Sequence, residues 1–250
     1  MDVSAAATTL ERIRHWREMH RFEMNCQVVH DSIHDRVGWT QEFLLSVGDT
    51  PVGYGSLAIA GPWKDTPTLY QVYVVPTHRR HLLDLYRRLV EVSEAVQITI
   101  QSNDPLATVM LHAHVTQATS NAILFHDRLV TALAPADAIY REATAAESPD
   151  ASSQELKYRG VVEVGGHVAA TGGVLFHYNR PFGDIYMDVN EPFRRRGYGS
   201  FIVQELKRIC YENGHIPAAR TNPDNIASQR TLQKAGFVPC GHILTGPVRR

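Results

Sequence analysis

The sequence predicts an α+β fold: an α/β sandwich with a mixed, mostly antiparallel sheet and flanking helices, built twice in one chain. Three observations lead there. Short β-branched and aromatic runs alternate with amphipathic stretches at helical spacing, as expected for strands packed under helices. The order of those elements then repeats at a nearly constant offset of about 115–119 residues, an ordinary length for one domain. Across that offset Gly55 falls opposite Gly172, Val74 opposite Val189, Arg79 opposite Arg194 and Asn103 opposite Asn222. Between the copies lies "ATAAESPDASSQ" (143–154), small, polar and proline-bearing, which reads as a linker. The expected domains are therefore 1–142, including N-terminal helices, and 155–250.

Each element has its own signal. Residues 9–36 place Leu10, Ile13, Trp16, Phe22, Val28, Val29 and Ile33 at roughly helical spacing and read as one or two amphipathic helices. His30 and His34 would share a helical face there, but with no third ligand nearby they read as surface histidines. "EFLLSVGD" and "VGYGSLAIA" flank Gly48-Asp49-Thr50-Pro51 as a hairpin. "TLYQVYVV" is a strand ended by Pro76, "LLDLYRRLVEVSEA" an amphipathic helix, and "VQITIQ" a strand closed by "SNDP". A helix, "PLATVMLHAHV", and two β runs, "AILFHDRLVTAL" and "AIYREA", complete the first copy. The second opens with "KYRGVVEV" and "AATGGVLFHY" as a hairpin across Gly165-Gly166, followed by the strand "DIYMDV". The helix "SFIVQELKRICYENG", stopped by Gly214, precedes the strand "IPAART", the helix "IASQRTLQKA" and the strand "FVPCGHIL".

Composition narrows the classes of function. The 250 residues are 44% hydrophobic and 20% charged, with a formal net charge of −1. A general nucleic-acid binder would carry a strongly basic domain instead. Cys26, Cys210 and Cys240 are widely spaced and lack a C-x-x-C pair, so they read as reduced thiols. No apolar run reaches the length of a membrane span, and the N-terminus lacks the regions of a secretory signal. The expectation is a soluble cytoplasmic protein, monomer or homodimer, with no metal, membrane or nucleic-acid partner.

The chemistry concentrates at "RRRGYGS" (194–200), between the strand "DIYMDV" and the helix that follows. The first N–H groups of a helix have no internal partners and lie at the positive end of its dipole. Glycines there let an anion approach the backbone, and arginines add charge around it. Downstream comes "TNPDNIASQRTLQKAGF". Arg194-x-x-Gly197-x-Gly199 after a strand ending at Val189, followed by Asn222, Asn225, Ser228 and Lys234-Ala235-Gly236-Phe237, resembles the GNAT superfamily of acyl-CoA-dependent N-acyltransferases. The resemblance covers residues 155–250.

That resemblance implies a site. The backbone of Arg195, Arg196, Gly197, Tyr198, Gly199 and Ser200 would take the pyrophosphate of acetyl-CoA, with Arg194 heading the motif. The strand through Met187 and Val189 would splay from "IPAART" and pair with the pantetheine arm as an added strand. Asn222, Asn225 and Ser228 would help to hold the cosubstrate, and the Val189 N–H would stabilise the oxyanion. The family's frequent tyrosine acid, seven residues after Asn225, is here Leu232, which cannot donate a proton. Tyr186 is then the first alternative, unless the thiolate leaves without a dedicated acid. Asp184, Tyr186 and Asp188 alternate along one strand and so share a face, and an aspartate among them is the candidate base. Glu163, His167 and His177 are lesser candidates.

The first copy departs at the same turn. Opposite Gly197 and Gly199 it has Leu82 and Asp84, in "PTHRRHLLD". A leucine side chain would block a phosphate and an aspartate would repel it. The first copy is expected to have lost cofactor binding, leaving one acetyl-CoA per chain. The expected activity is N-acetylation of a primary amine on a small molecule or peptide by direct attack on the thioester. The alternative is a non-catalytic acyl-CoA-binding sensor or scaffold.

Overall fold

The computed structural model describes residues 2–144, 147 and 156–249; the stretch 143–154 read as a linker lies almost wholly outside them. The strands are β1 (Val3–Thr8), β2 (Thr40–Val47), β3 (Thr50–Ala58), β4 (Thr68–Val74), β5 (Gln97–Gln101), β6 (Thr119–Asp127), β7 (Ala138–Glu142), β8 (Leu156–Val164), β9 (His167–Leu175), β10 (Phe182–Val189), β11 (Ile216–Thr221) and β12 (Phe237–Pro247). The helices are α1 (Leu10–Met24), α2 (Leu82–Ser93), α3 (Pro105–His114), α4 (Tyr198–Glu212) and α5 (Ile226–Lys234). The fold is α+β, with mostly antiparallel sheet and flanking helices, as the sequence predicts. Two details differ. Helix in the 9–36 stretch ends at Met24, with only a short 3-10 turn beyond, Asp31–Asp35. The alanine-rich N-terminus forms the edge strand β1, in register with β2 from Val3↔Val47 to Thr8↔Glu42; its small residues carry no strong strand signal.

The chain divides into two compact units, Met1–Asn121 with Gly241–Arg250, and Ala122–Cys240. In unit 1 the strand order is β1-β2-β3-β4-β5-β12, and in unit 2 it is β7-β8-β9-β10-β11-β6. Each unit has one parallel pair, β4 with β5 and β10 with β11. Position for position, β12 fills in unit 1 the place that β6 fills in unit 2. Ile243 to Pro247 pair with Gln101 to Gln97, and Ile123 to His126 pair with Thr221 to Ala218. The last strand of each repeat therefore completes the sheet of the other unit. Residues 122–142 accordingly fall in the second compact unit.

Local chemistry starts and stops the elements. Asp104 caps α3 by accepting from the N–H groups of Leu106 (3.0 Å) and Ala107 (3.1 Å), with Pro105 in the first turn. Gly48, Gly165 and Gly166 take the positive φ of their hairpin turns. In unit 1, α2 buries Leu85, Tyr86 and Leu89 against Phe43, Leu45, Val72 and Val74. In unit 2, α4 buries Ile202, Val203, Leu206 and Cys210 against the sheet. Each such aliphatic side chain contributes roughly 1.5–3 kcal/mol by leaving water.

The strand exchange makes the two repeats interdependent. A fragment of residues 155–250 lacks β6 and β7, so the β11 edge of its sheet loses its antiparallel neighbour. That fragment and its complement, 1–142, are each expected to show no cooperative thermal transition by circular dichroism alone, and to regain one when mixed. A cooperative melt of 155–250 by itself would contradict this.

Candidate functional site

The site starts where a strand pair ends. β10 and β11 are in parallel register only at Phe182↔Ile216, Gly183↔Pro217 and Asp184↔Ala218. Beyond that point β11 follows β6, while β10 stays on β9 as far as Val189↔Ala170. The Asn190 N–H donates to the Ala169 carbonyl at 3.0 Å. By the alternation of an antiparallel pair, Asp188 and Tyr186 also turn their backbone groups toward β9. Ile185, Met187 and Val189 therefore present theirs at the opposite edge; the Ile185 N–H closes the last β11 pair at Ala218, and beyond it no strand faces Met187 and Val189 among the described residues. The Val189 carbonyl agrees with that direction, accepting from Arg194 Nε at 3.0 Å.

This open edge runs into the glycine turn. Arg195 (φ 64°) and Gly197 (φ 93°) are left-handed, a conformation that costs an L side chain about 1–2 kcal/mol. A Cβ on Gly197 would meet only Lys234 Nζ, at 3.5 Å, so the space above the turn is open and edged by an ammonium group. Gly199 serves a different need. A Cβ there would lie 3.1 Å from Val189 Cγ2 and 3.2 Å from Thr231 Cγ2, so α4 approaches β10 and α5 more closely than a side chain permits comfortably. The Phe201 N–H reaches the Gly197 carbonyl at 3.0 Å, and Gly197 has no side-chain cap. The N–H groups of Tyr198, Gly199 and Ser200 are thus left unpaired within the helix, at its positive end.

The side chains around the turn divide by task. Arg194 commits its Nε to the Val189 carbonyl and so clamps the turn to β10. The Tyr198 hydroxyl donates to Asp137 at 2.7 Å, and Ser200 Oγ donates to the Thr231 carbonyl at 3.1 Å. The Arg196 guanidinium stands 6.0 Å from the Phe193 ring centroid. Arg195, Arg196 and Lys234 place positive charge around the turn, Lys234 Nζ lying beside Gly197; the sequence shows Lys234 within "KAGF" but not this place. Asn225 Oδ1 caps α5 by accepting the Ser228 N–H at 3.0 Å, and Asn222 Oδ1 accepts the Asp224 N–H at 2.8 Å. Both asparagine carbonyls shape the loop, so the Asn225 amide N–H₂ is the part able to reach a ligand. Leu232 is 3% exposed and packs in the core of unit 2.

On the other face of β10 lie Asp184, Tyr186 and Asp188, since Met187 and Val189 pack toward α4. Asp184 is buried; its Oδ2 lies 2.9 Å from His177 Nε2 and 3.3 Å from Arg220 Nε. The Tyr178 ring is buried beside them, and burial together with the Asp184 charge holds its phenol well above the ordinary range. Asp188 is exposed, and among the described residues it has no ion-pair partner. The Tyr186 ring lies across Gly173 of β9: a Cβ on that glycine would sit 2.9 Å from the Tyr186 hydroxyl oxygen. Its hydroxyl is therefore held over β9, away from the β10 edge that lacks a strand. Glu163 is tied to Arg141 at 2.9 Å. Among the described residues no group of three or more His, Cys, Asp or Glu side chains is placed to hold a metal; His34 instead lies 3.1 Å from Glu42, and His30 packs on Trp63.

Unit 1 keeps the strand parting and the arginine clamp of this site. β4 and β5 are in register only at Thr68↔Gln97 and Leu69↔Ile98 before they part. Arg79 Nε donates to the Val74 carbonyl at 3.0 Å, the same clamp as Arg194 on Val189. Here, however, α1 supplies side chains to both walls. His20 Nε2 lies 2.7 Å from Asp104, the cap of α3, and Glu23 accepts from Arg79 (2.7 Å) and Tyr73 (2.8 Å). Burial opposes ionisation of Glu23, but these two hydrogen bonds outweigh it and keep the carboxyl below its usual range. Leu82 packs with Ile13, Tyr54, Tyr73 and Leu106. Asp84 is exposed beside Arg87.

The close approach at Gly199 can be tested by stability. Gly199→Ala is expected to cost about 1–3 kcal/mol in urea denaturation, the usual penalty for overpacking. Unchanged stability would mean that α4 does not sit this close to β10.

The sequence model of the Acetyltransferase (GNAT) family matches residues 124–237. No curated protein matches the sequence. Among solved structures, a GNAT-family acetyltransferase from Colwellia psychrerythraea superposes with a TM-score of 0.72 at 13% identity, covering 100% of both chains. A GCN5-related N-acetyltransferase from Sphaerobacter thermophilus gives 0.64 at 16% identity, over 99% of this chain and 96% of its own. A tandem GNAT protein from the clavulanic acid biosynthesis pathway gives 0.63 at 14% identity, over 98% of each chain. The chain thus carries the GNAT fold over its whole length, and its residues 124–237 match the sequence model of the acetyltransferase (GNAT) family.

Proposed function

We propose that the protein is an acetyl-CoA-dependent N-acetyltransferase that acts on a primary amine through unit 2. The observation that carries this reading is the unpaired edge of β10 at Met187 and Val189, leading without a break into the left-handed glycine turn. Peptide N–H and C=O groups at that edge suit an amide-bearing chain laid alongside as an added strand. The open space over Gly197, the first-turn N–H groups of α4, and the charges of Arg195, Arg196 and Lys234 suit a diphosphate. Acetyl-CoA, when bound, supplies an acyl group already activated as a thioester.

The chain's own residues would then do three things. The N–H groups of Met187 and Val189 stabilise negative charge on an acyl oxygen at the edge. Asp188 takes the proton of the acceptor ammonium, directly or through water, because it is exposed and no cation neutralises it. Asp184, buried and paired with His177 and Arg220, serves to position its neighbours. Leu232 is core, and the Tyr186 hydroxyl lies over β9, so the thiolate departs without a dedicated acid; the modest pKa of a thiol, about 8.5, allows it.

Unit 1 is read as a non-binding copy, because α1 places Glu23 and His20 where the cosubstrate would run. Isothermal titration with acetyl-CoA is expected to give one site per chain, and Gly197→Glu is expected to abolish it without loss of fold. Two sites in the wild type, or unchanged affinity in the variant, would overturn the assignment. Asp188→Asn is expected to lower kcat/KM by roughly 100-fold, a usual size for a general base, with acetyl-CoA affinity unchanged. Full activity of Asp188→Asn would remove it as the base.

A further inference from the structure

Four residues beside the proposed site have no direct part in the acyl transfer above: His177, Tyr178, Asp184 and Arg220. Asp184 is level with Ala218 on β11, and Ala219 turns into the core under α4. By strand alternation Arg220 shares a face with Asp184 and stands level with Tyr186 across the gap between β10 and β11. Its Nε is 3.3 Å from Asp184 Oδ2, and its guanidinium carbon is 5.9 Å from the Tyr178 ring centroid. The side chain is 32% exposed while that of Asp184 is 6% exposed. A buried carboxylate and a buried ring thus hold the stem and one edge of the fork. Among the described residues Arg220 has no other ion pair or hydrogen bond, so the N–H groups of its two terminal nitrogens remain available.

Below the fork the buried polar groups meet at one carboxylate. Asp184 Oδ2 lies 2.9 Å from His177 Nε2, and the buried Tyr178 hydroxyl stands against the same side chain. Together they fix the carboxylate that holds Arg220.

We infer that the acceptor is an amino acid or a close relative: a primary amine that also carries a carboxylate, which Arg220 binds. A planar guanidinium fixed in orientation accepts a carboxylate through two parallel N–H···O bonds, and little side-chain freedom remains to be lost. Its place across the gap from Tyr186 sets the carboxylate on the acceptor face near the edge where the acyl group would lie. The inference rests on the acyl-transfer reading given above.

The test compares acceptors in matched sets, using full-length protein, acetyl-CoA and release of free CoA. Each amino acid is assayed beside its carboxamide and its decarboxylated amine. Carboxylate-bearing acceptors are expected to be preferred by about 100-fold or more in kcat/KM, as when a site's buried polar groups are left unpaired by the lesser substrate. Arg220→Ala is expected to raise KM for the preferred amino acid with little change in kcat. Arg220→Lys, which keeps the charge but loses the fork, should recover only part of the affinity, and its melting temperature guards against a folding defect. Equal turnover of amides and decarboxylated amines, or an unchanged KM in both variants, would overturn the carboxylate assignment while leaving acyl transfer standing. Absence of CoA release with every acceptor, despite acetyl-CoA binding, would instead overturn acyl transfer itself and this inference with it.

Discussion

The parting of two parallel strands governs the rest of this structure. A peptide edge inside a sheet must find partners, because an unpaired buried N–H or C=O costs as much as a lost hydrogen bond. β10 leaves β11 after Asp184, and β11 meets its own need by pairing with β6. Past the Ile185 N–H, which closes the last β11 pair, β10 does not, and the Val189 carbonyl is taken by Arg194. The groups of Met187 and the Val189 N–H are left open at that edge. The glycine turn, the bare first turn of α4 and the cap of α5 all lie around that same opening. Each is understandable as a local structure, but their convergence on one unpaired edge gives them a common purpose.

Unit 1 shows how the same frame can be closed. The strand parting and the arginine clamp are both kept, which places Arg79 and Val74 in the roles of Arg194 and Val189. The difference lies in what fills the groove. Glu23 presents a carboxylate to Arg79, and His20 reaches the cap of α3, while Leu82 occupies the position that is Gly197 in unit 2. An anionic side chain carried by the chain's own helix meets the clamping arginine there. The repeats differ in the side chains beside the turn more than in fold.

Much of this was legible in the sequence, because the strongest signals are periodic or rest on glycine and proline. The amphipathic patterns of α2 and α4, the Gly-Gly turn of the β8–β9 hairpin, and the spacing from Arg194 to Phe237 each have local causes. The offset between repeats could be read because it preserved residues with conformational or clamping roles, such as Arg79 and Arg194. What was not legible depends on tertiary placement. The swap of β6 and β12 leaves no local trace, since either strand would look the same in either sheet. Arg220 is one charged residue in an apolar strand, and its meaning comes from Asp184 on a neighbouring strand and from Tyr178. Arg194 looked like a phosphate ligand by composition, but its Nε is committed to the Val189 carbonyl. Glu23 and His20 lay in a helix read only for its apolar stripe.

The central claim is that the free edge of β10 and the turn after it receive acetyl-CoA. Amide hydrogen exchange, followed residue by residue with and without acetyl-CoA, tests it most directly. The account expects slowed exchange at Met187 and Val189 and at Tyr198, Gly199 and Ser200, with the matching amides of β4 and the start of α2 in unit 1 unchanged. Exchange that stays the same along β10 under saturating acetyl-CoA, or that slows in unit 1 instead, would contradict it.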